Sequence, residues 1–101
     1  MIKLSNYARP IEKKGKYQYY RWKVFVDAER EVLDSIERVS YELHPTFPNP
    51  RRTSTSAVDR FSLETEGWGE FSILAVVEFK DGRAETLTYR LDLAKGWPEE
   101  T

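Results

Sequence analysis

The chain has 101 residues and a formal net charge of −1 at pH 7, which indicates one domain without the strong positive field that general nucleic-acid binding needs. It has no cysteine, which excludes disulfides, thiolate metal sites and a cysteine nucleophile, and its longest apolar run, residues 73–77, is too short to cross a bilayer. We therefore predict an intracellular, cytoplasmic domain, nuclear if the host is eukaryotic, with no membrane partner and no cofactor. The 3 Trp, 6 Tyr and 5 Phe are an aromatic surplus that a core alone does not require.

The first half of the chain predicts two strands with a short turn between them. Residues from Tyr20 to Val26 alternate between apolar and basic side chains, with Phe25 interrupting the polar face. Residues 28–43 fit a helical spacing and, in their second half, a strand spacing. The β-branched and aromatic residues near the end, and Pro45 directly after His44, favour the strand. We predict a turn or helical start over Glu29 to Asp34 and a strand over Ile36 to Leu43.

The second half predicts three further strands. Alternation runs from Phe61 to Thr65 and again from Phe71 to Phe79, where both faces are largely apolar. Asp81-Gly82 is a strong hairpin signal before the alternating residues Leu87 to Leu93. Short strands at regular spacing, without alternating helices, predict an all-β fold, an immunoglobulin-like antiparallel β-sandwich, as a single domain over residues 1–101.

The predicted core and the predicted surface follow from the same pattern. Lys13-Lys14 and Arg51-Arg52 are interpreted as solvated loop charges, and Glu99-Glu100 as a frayed tail. The core residues are Trp22, Val24, Leu43, Ile73, Val77 and Leu91.

Two loops at the ends of the predicted strands carry unusual sequences. The first, residues 43–52, reads Leu-His-Pro-Thr-Phe-Pro-Asn-Pro-Arg-Arg, and its three prolines fix the backbone that holds His44, Thr46 and Phe47. The second, residues 65–71, places Trp68 between Gly67 and Gly69, which permits close backbone approach and unusual dihedrals on either side of the ring. A ring held in this way can serve as a binding platform.

These loops resemble those of YEATS domains, particularly the prokaryotic branch. That family has a tryptophan-bearing strand, here with Trp22, followed by a Leu-His-x-(Ser/Thr)-(Phe/Tyr)-x-x-Pro-x-Arg loop and a Gly-(Trp/Tyr)-x-x-Phe loop. The first loop corresponds to residues 43–52 and the second to residues 67–71, and the resemblance extends from residue 22 to residue 93. It implies a non-enzymatic reader whose end loops form an aromatic cage for acylated lysine, such as acetyl- or crotonyl-lysine, or for a similar acyl or planar ligand.

The resemblance also implies individual roles. Phe47 and Trp68 would face each other and stack on a flat acyl chain, with Phe71 and His44 in the same channel. The Thr46 hydroxyl would accept from the acyl-amide N–H, and the backbone N–H of Trp68 would donate to the acyl carbonyl. The implied ligand-binding residues are His44, Thr46, Phe47, Gly67, Trp68, Gly69 and Phe71.

The chain departs from the family pattern at two places. Eukaryotic members close the cage with an aromatic residue near the position of Gln18, where Tyr17 and Tyr19 are the candidate replacements. Histone readers pair a histone arginine with an acidic residue on the late strand, where the nearest residue here is Arg90, with Asp92 two positions on. The second departure argues against a histone tail more than against the cage.

Other functional classes have weaker support. His44 is the only histidine, which excludes a histidine-rich metal centre, and no Gly-x-Ser-x-Gly turn accompanies it. Trp68 could instead be a buried corner between the sheets, and Phe47 a hydrophobic plug. The alternative function is a protein–protein interaction scaffold with a vestigial cage.

Overall fold

A computed structural model describes residues 2–98, so the predicted fraying of Glu99-Glu100 lies outside the described residues. Seven strands and one short helix follow one another in the chain. They are β1 (Lys3–Lys14), β2 (Tyr17–Asp27), α1 (Arg30–Asp34), β3 (Ile36–Glu42), β4 (Arg51–Ser54), β5 (Leu63–Gly67), β6 (Ser72–Phe79) and β7 (Ala84–Arg90).

The strands form two antiparallel sheets, which confirms the predicted β-sandwich. One sheet has the order β1-β2-β5 and the other β4-β3-β6-β7. Inward-facing side chains of both sheets form the core, in which all six predicted core residues are buried, Leu43 being the most accessible of them at 4%. A hydrogen bond of 2.6 Å from the Tyr41 hydroxyl to the Phe61 carbonyl joins β3 to the turn before β5 across this core.

The ambiguous segment after β2 folds as predicted. Helix α1 begins after Glu29 and ends at Asp34, and β3 begins at Ile36. The Asp81-Gly82 hairpin is also confirmed, with Gly82 at φ 93°, a conformation that favours glycine.

Two strands occur where no strand was predicted. Strand β1 contains Lys13 and Lys14, and β4 contains Arg51 and Arg52, so their interpretation as loop charges was wrong. Strand β1 is an edge strand whose buried positions include Asn6, and β4 has only four polar residues held by pairing with β3. Neither shows apolar alternation, because two of the buried positions of β1, Ser5 and Asn6, are polar and because β4 has no apolar residue.

Two predicted strand boundaries were also wrong. Phe61 is fully buried, but it lies in a turn with φ 54°, and its N–H donates to the Ser56 carbonyl at 2.9 Å, so β5 begins only at Leu63. Strand β7 ends at Arg90 instead of Leu93, because beyond it the backbone N–H of Leu93 donates to a Glu70 side chain instead of continuing the ladder.

Phe25, which interrupted the polar face of β2, lies under an aromatic cover on the outer face of its sheet. Its ring centroid is 5.0 Å from that of Tyr7, which in turn lies 6.3 Å from Trp97. Hydrogen bonds between Ala8 and residues 95 and 97 hold the C-terminal segment against β1. The second face of β2 is therefore partly buried as well.

Candidate functional site

Strand register brings three connections to one end of the sandwich. Tyr20 near the start of β2 pairs with Gly67 at the end of β5, and Glu42 at the end of β3 pairs with both Arg51 and Leu74. The β1–β2 turn, the β3–β4 loop and the β5–β6 loop therefore lie side by side. The two loops singled out in the sequence are neighbours in the fold.

The β3–β4 loop is closed at its base and braced from within. The Leu43 N–H donates to the Pro50 carbonyl at 2.7 Å, and the Phe47 N–H donates to the His44 carbonyl at 3.0 Å. The Arg52 guanidinium donates to two loop carbonyls, those of residues 48 and 49, at 2.9 and 3.1 Å. Arg52 thus fixes the loop from the adjoining strand.

His44 orients the hydroxyl of Thr46. Nδ1 of His44 lies 2.9 Å from Thr46 Oγ1 and 3.3 Å from the Thr46 backbone N–H. A backbone N–H can only donate, so this pattern assigns Nδ1 as the acceptor and places the proton of the neutral ring on Nε2. The Thr46 hydroxyl then donates to Nδ1 and keeps its oxygen lone pairs available to accept from a ligand.

Phe47 packs partly into the core. Its ring centroid is 5.3 Å from that of Phe71 and 6.2 Å from that of Trp22. It also lies against Gly67, where an added Cβ would come within 3.2 Å of Phe47 Cζ. A side chain at residue 67 would push the Phe47 ring outward, so close approach explains this glycine.

The glycines beside Trp68 do not have the unusual dihedrals that we expected. Among the described residues, the glycines with positive φ are Gly15 and Gly82. At Gly69 an added Cβ would meet no described atom within 4 Å. The expectation of unusual dihedrals at Gly67 and Gly69 was therefore wrong.

Trp68 stacks on the β1–β2 hairpin. Its ring centroid is 4.2 Å from that of Tyr17, with 31° between the planes, and 52% of Trp68 stays exposed. Tyr19 points to the same region, whereas the Gln18 amide donates to backbone carbonyls of the hairpin. Phe47 and Trp68 thus have different packing partners, and their stacking on either side of a ligand stays a prediction.

One cavity of about 480 Å³ collects these side chains, within the range typical of small-molecule and cofactor sites. All seven residues implied by the resemblance line it, and so do Pro48 and Glu66, which no sequence motif marked. We call it the end-loop cavity. Its lining residues are Tyr19, His44, Thr46, Phe47, Pro48, Glu66, Gly67, Trp68, Gly69, Glu70 and Phe71.

The two carboxylates of the cavity are both engaged. Glu66 accepts from Arg21 at 2.7 Å, and Glu70 accepts from the Leu93 N–H at 2.9 Å. The pKa of the Arg21 guanidinium is raised chiefly by its hydrogen bond to Glu64 and by the negative charge of Glu64, and to a smaller extent by Glu66. The contact to Leu93 also fixes the β5–β6 loop against the chain after β7. No sequence pattern could have paired residues so far apart.

The described residues offer little for a metal or a membrane. Between residues 2 and 98 there is no group of three or more His, Cys, Asp or Glu side chains placed to hold a metal ion. Within the same range, no helix has the length and apolar character needed to cross a membrane.

Solved structures of YEATS domains share the fold. The Yaf9 YEATS domain recognising an H3K122suc peptide matches with a TM-score of 0.75 and 28% identity, over 91% of this chain and 71% of that one. The Yaf9 YEATS domain bound to H3K27ac matches with a TM-score of 0.74 and 27% identity, over 91% and 70% of the two chains.

Two proteins of a fission yeast are similar to this chain over part of their length. The chain is 40% identical to the transcription initiation factor TFIID subunit 14 of Schizosaccharomyces pombe over 64 residues, which are 61% of this chain and 26% of that protein. It is 29% identical to the AF-9 homolog of the same organism over 96 residues, which are 87% of this chain and 43% of that protein. The chain thus spans less than half the length of either relative. The model of the prokaryotic YEATS domain matches residues 20–92, and with the shared fold this match shows that the chain belongs to the prokaryotic YEATS domain family.

Proposed function

We propose that this domain is a non-enzymatic reader that binds acylated lysine, on a protein or a peptide, in the end-loop cavity. The observation that carries the proposal is the convergence of all seven implied residues, from two loops distant in sequence, on one cavity. Structures of the Yaf9 YEATS domain, which has the same fold, with acylated peptides support the proposal. Intracellular acylated proteins, or small acyl compounds, are the corresponding ligands.

The chemistry of the cavity fits an acylated lysine. Acylation removes the lysine charge and leaves an apolar chain with one amide, so the site needs aromatic walls, one acceptor and one donor. Phe47, Phe71 and Trp68 supply the walls, and each ring contact contributes about 0.5 to 1.5 kcal/mol beyond the burial of area. The Thr46 hydroxyl, oriented by His44, is the acceptor, and the Trp68 backbone N–H is the proposed donor.

Discrimination against unmodified lysine follows from desolvation of its charge. Of the two carboxylates at the cavity, Glu66 is already paired with Arg21, and Glu70 is held in place by the Leu93 N–H. An ammonium held among the aromatic rings would therefore lose its water and gain at most one carboxylate partner. A planar crotonyl chain offers more stacking surface than an acetyl group. We therefore expect crotonyl-lysine to bind more tightly than acetyl-lysine, and unmodified lysine not to bind.

Titration of three otherwise identical peptides tests the proposal. Crotonyl-, acetyl- and unmodified-lysine peptides are added to the domain while tryptophan fluorescence is followed, and calorimetry gives the dissociation constants. We expect saturable binding of the acyl peptides and a fluorescence change, because Trp68 is half exposed at the cavity. Absence of binding by every acyl peptide at millimolar concentration would refute the reader function.

A second candidate is an interaction scaffold that does not use the cavity. The stacked pair Tyr17 and Trp68 favours it, because these rings are 39% and 52% exposed and adjacent. Exposed aromatic pairs are common anchors in protein interfaces. In this case a partner protein would bind equally well with and without lysine acylation. Trp68→Ala would abolish binding of the acylated and of the unacylated partner alike.

A further inference from the structure

We propose that the β1–β2 hairpin is a second contact surface for the acylated partner, and that it binds acidic residues flanking the acylated lysine. The lysines at the end of this hairpin, Lys13, Lys14 and Lys16, are called the basic hairpin here. The inference rests on the proposed function, because it assigns the sequence around the lysine that the end-loop cavity would hold.

The basic hairpin lies directly beside the cavity. Tyr17 stacks on Trp68 at 4.2 Å, and Tyr19 lines the cavity itself. The ammonium of Lys16 lies 5.4 Å from the ring centroid of Tyr17, and that of Lys14 lies 4.8 Å from that of Tyr19. A peptide with its acylated lysine in the cavity would place its neighbouring residues within reach of these ammonium groups.

The charges at this end of the sandwich are unevenly compensated. Three nearby carboxylates face a cation: Glu66 contacts Arg21, Glu42 lies 3.9 Å from Arg51, and Glu12 lies 3.5 Å from Lys14. Among the described residues, Glu70 accepts only from a backbone N–H and keeps its charge. By contrast, within residues 2–98 neither Lys13 nor Lys16 has a carboxylate within 4 Å.

A third cation without a carboxylate partner lies in a groove beside the cavity. An open groove of about 580 Å³ shares His44, Glu70 and Phe71 with the end-loop cavity, and Arg90 lines it. In the described part of the chain, no carboxylate lies within 4 Å of Arg90 either. Lys13, Lys16 and Arg90 thus outnumber Glu70, the one described carboxylate near the opening without a cation partner, and this excess of positive charge favours a ligand with acidic residues around its acylated lysine.

An acidic peptide fits this surface better than a nucleic acid does. The patch is small, and Glu12, Glu64 and Glu66 lie next to it in the same hairpin and in the paired strand β5. A polyanion extending past the lysines would approach these carboxylates, whereas one or two acidic side chains would not.

Three crotonyl-lysine peptides of equal length, with acidic, neutral or basic flanking residues, test the inference by calorimetry. An exposed ion pair changes a dissociation constant by about 1.5- to 5-fold, so two such pairs predict about 2- to 25-fold tighter binding of the acidic peptide than of the neutral one. This advantage should decrease as salt rises from 50 to 500 mM, since screening weakens exposed ion pairs.

Lys16→Glu is the discriminating variant and Lys80→Glu its matched control. Both residues are exposed in hairpin turns and change the net charge equally, but Lys80 lies in the β6–β7 turn at the opposite end of the strands. We expect Lys16→Glu to remove the preference for acidic flanks, or to reverse it, while the neutral peptide binds within about twofold of the unmodified domain. We expect Lys80→Glu to leave the preference unchanged.

The possible failures are distinguishable. Equal binding of all three crotonyl peptides would overturn the inference while leaving the reader function intact, and so would equal effects of the two variants. Displacement of the acidic peptide by a DNA duplex of similar charge would overturn it in favour of a nucleic-acid surface. Failure of every acyl peptide to bind would refute the proposed function itself.

Discussion

Replacement of Trp68 by alanine separates a binding wall from a structural corner. Trp68 is 52% exposed and its described ring contact is Tyr17 at 4.2 Å, so the substitution removes one aromatic pair worth about 0.5 to 1.5 kcal/mol together with the burial of about half a side chain. Trp22, by contrast, is fully buried, and the same substitution there costs about 3 to 5 kcal/mol. In a domain of this size 1 kcal/mol lowers the Tm by about 4 to 8 °C. Trp68→Ala should therefore lower the Tm clearly less than Trp22→Ala does in a parallel melt.

Trp68→Ala should weaken peptide binding strongly although it lowers the stability of the fold only moderately. Losing the Trp68 ring removes a stacking contact and the apolar area that it covers, about 1.5 kcal/mol or more, which weakens a crotonyl-lysine peptide at least about tenfold. Trp68→Phe retains a ring and should show an intermediate loss. Circular dichroism melts and calorimetry on the same samples measure both quantities. A melt of Trp68→Ala resembling that of Trp22→Ala would show that Trp68 is a structural corner, and unchanged affinity would show that it is not a wall of the site.

Two further substitutions test the hydrogen bonds. Thr46→Val should weaken acyl-peptide binding about 5- to 150-fold, because an unpaired buried amide costs about 1 to 3 kcal/mol, whereas Thr46→Ser should bind nearly normally; equal losses in calorimetry would contradict the assigned acceptor. Burial raises the pKa of Tyr41, so above pH of about 10 the unfolded chain loses this proton before the folded one does. The free energy of unfolding should then fall by up to about 1.4 kcal/mol for each pH unit above that. In urea melts, Tyr41→Phe should show a shallower decline of this free energy at alkaline pH than the unmodified domain. An equally steep decline in both proteins would contradict the prediction.

Much of the fold was predictable because the central strands bury alternate side chains. Strand β3 is the clearest case: Pro45 and the β-branched residues outweighed a helical spacing, as the structure confirms. Strand β1 was missed because its buried position 6 is an asparagine. The Asn6 side chain donates to the Asp92 carbonyl at 2.9 Å and accepts from the Tyr89 hydroxyl. These partners come from the other end of the chain, so hydrophobic periodicity cannot reveal that this residue is buried.

The candidate site was also predictable only in part. The two loops were recognisable because prolines and glycines mark them locally, and the structure brings their residues to one cavity. Tyr17 and Tyr19 were both candidates to replace the missing aromatic residue near Gln18. The sequence could not decide between them, because their positions depend on the β1–β2 hairpin and β1 was not predicted. Once that hairpin is in place, strand pairing sets Tyr17 beside Trp68 and Tyr19 at the cavity.

Net charge illustrates why composition alone misjudged the surface. The sum of −1 describes the whole chain, but a bound peptide senses charges within about one Debye length, about 8 Å at physiological salt. Folding sorts those charges: strand pairing sets Glu64 and Glu66 against Arg21, whereas Lys16 lies in a turn with no opposite strand position to supply a carboxylate. A near-neutral chain can therefore present a positive opening. The near-neutral net charge still disfavours binding of a polyanion spread over one face, but it is compatible with selection by one or two charges beside the cavity. A single charge reversal at Lys16 should be enough to alter that selection.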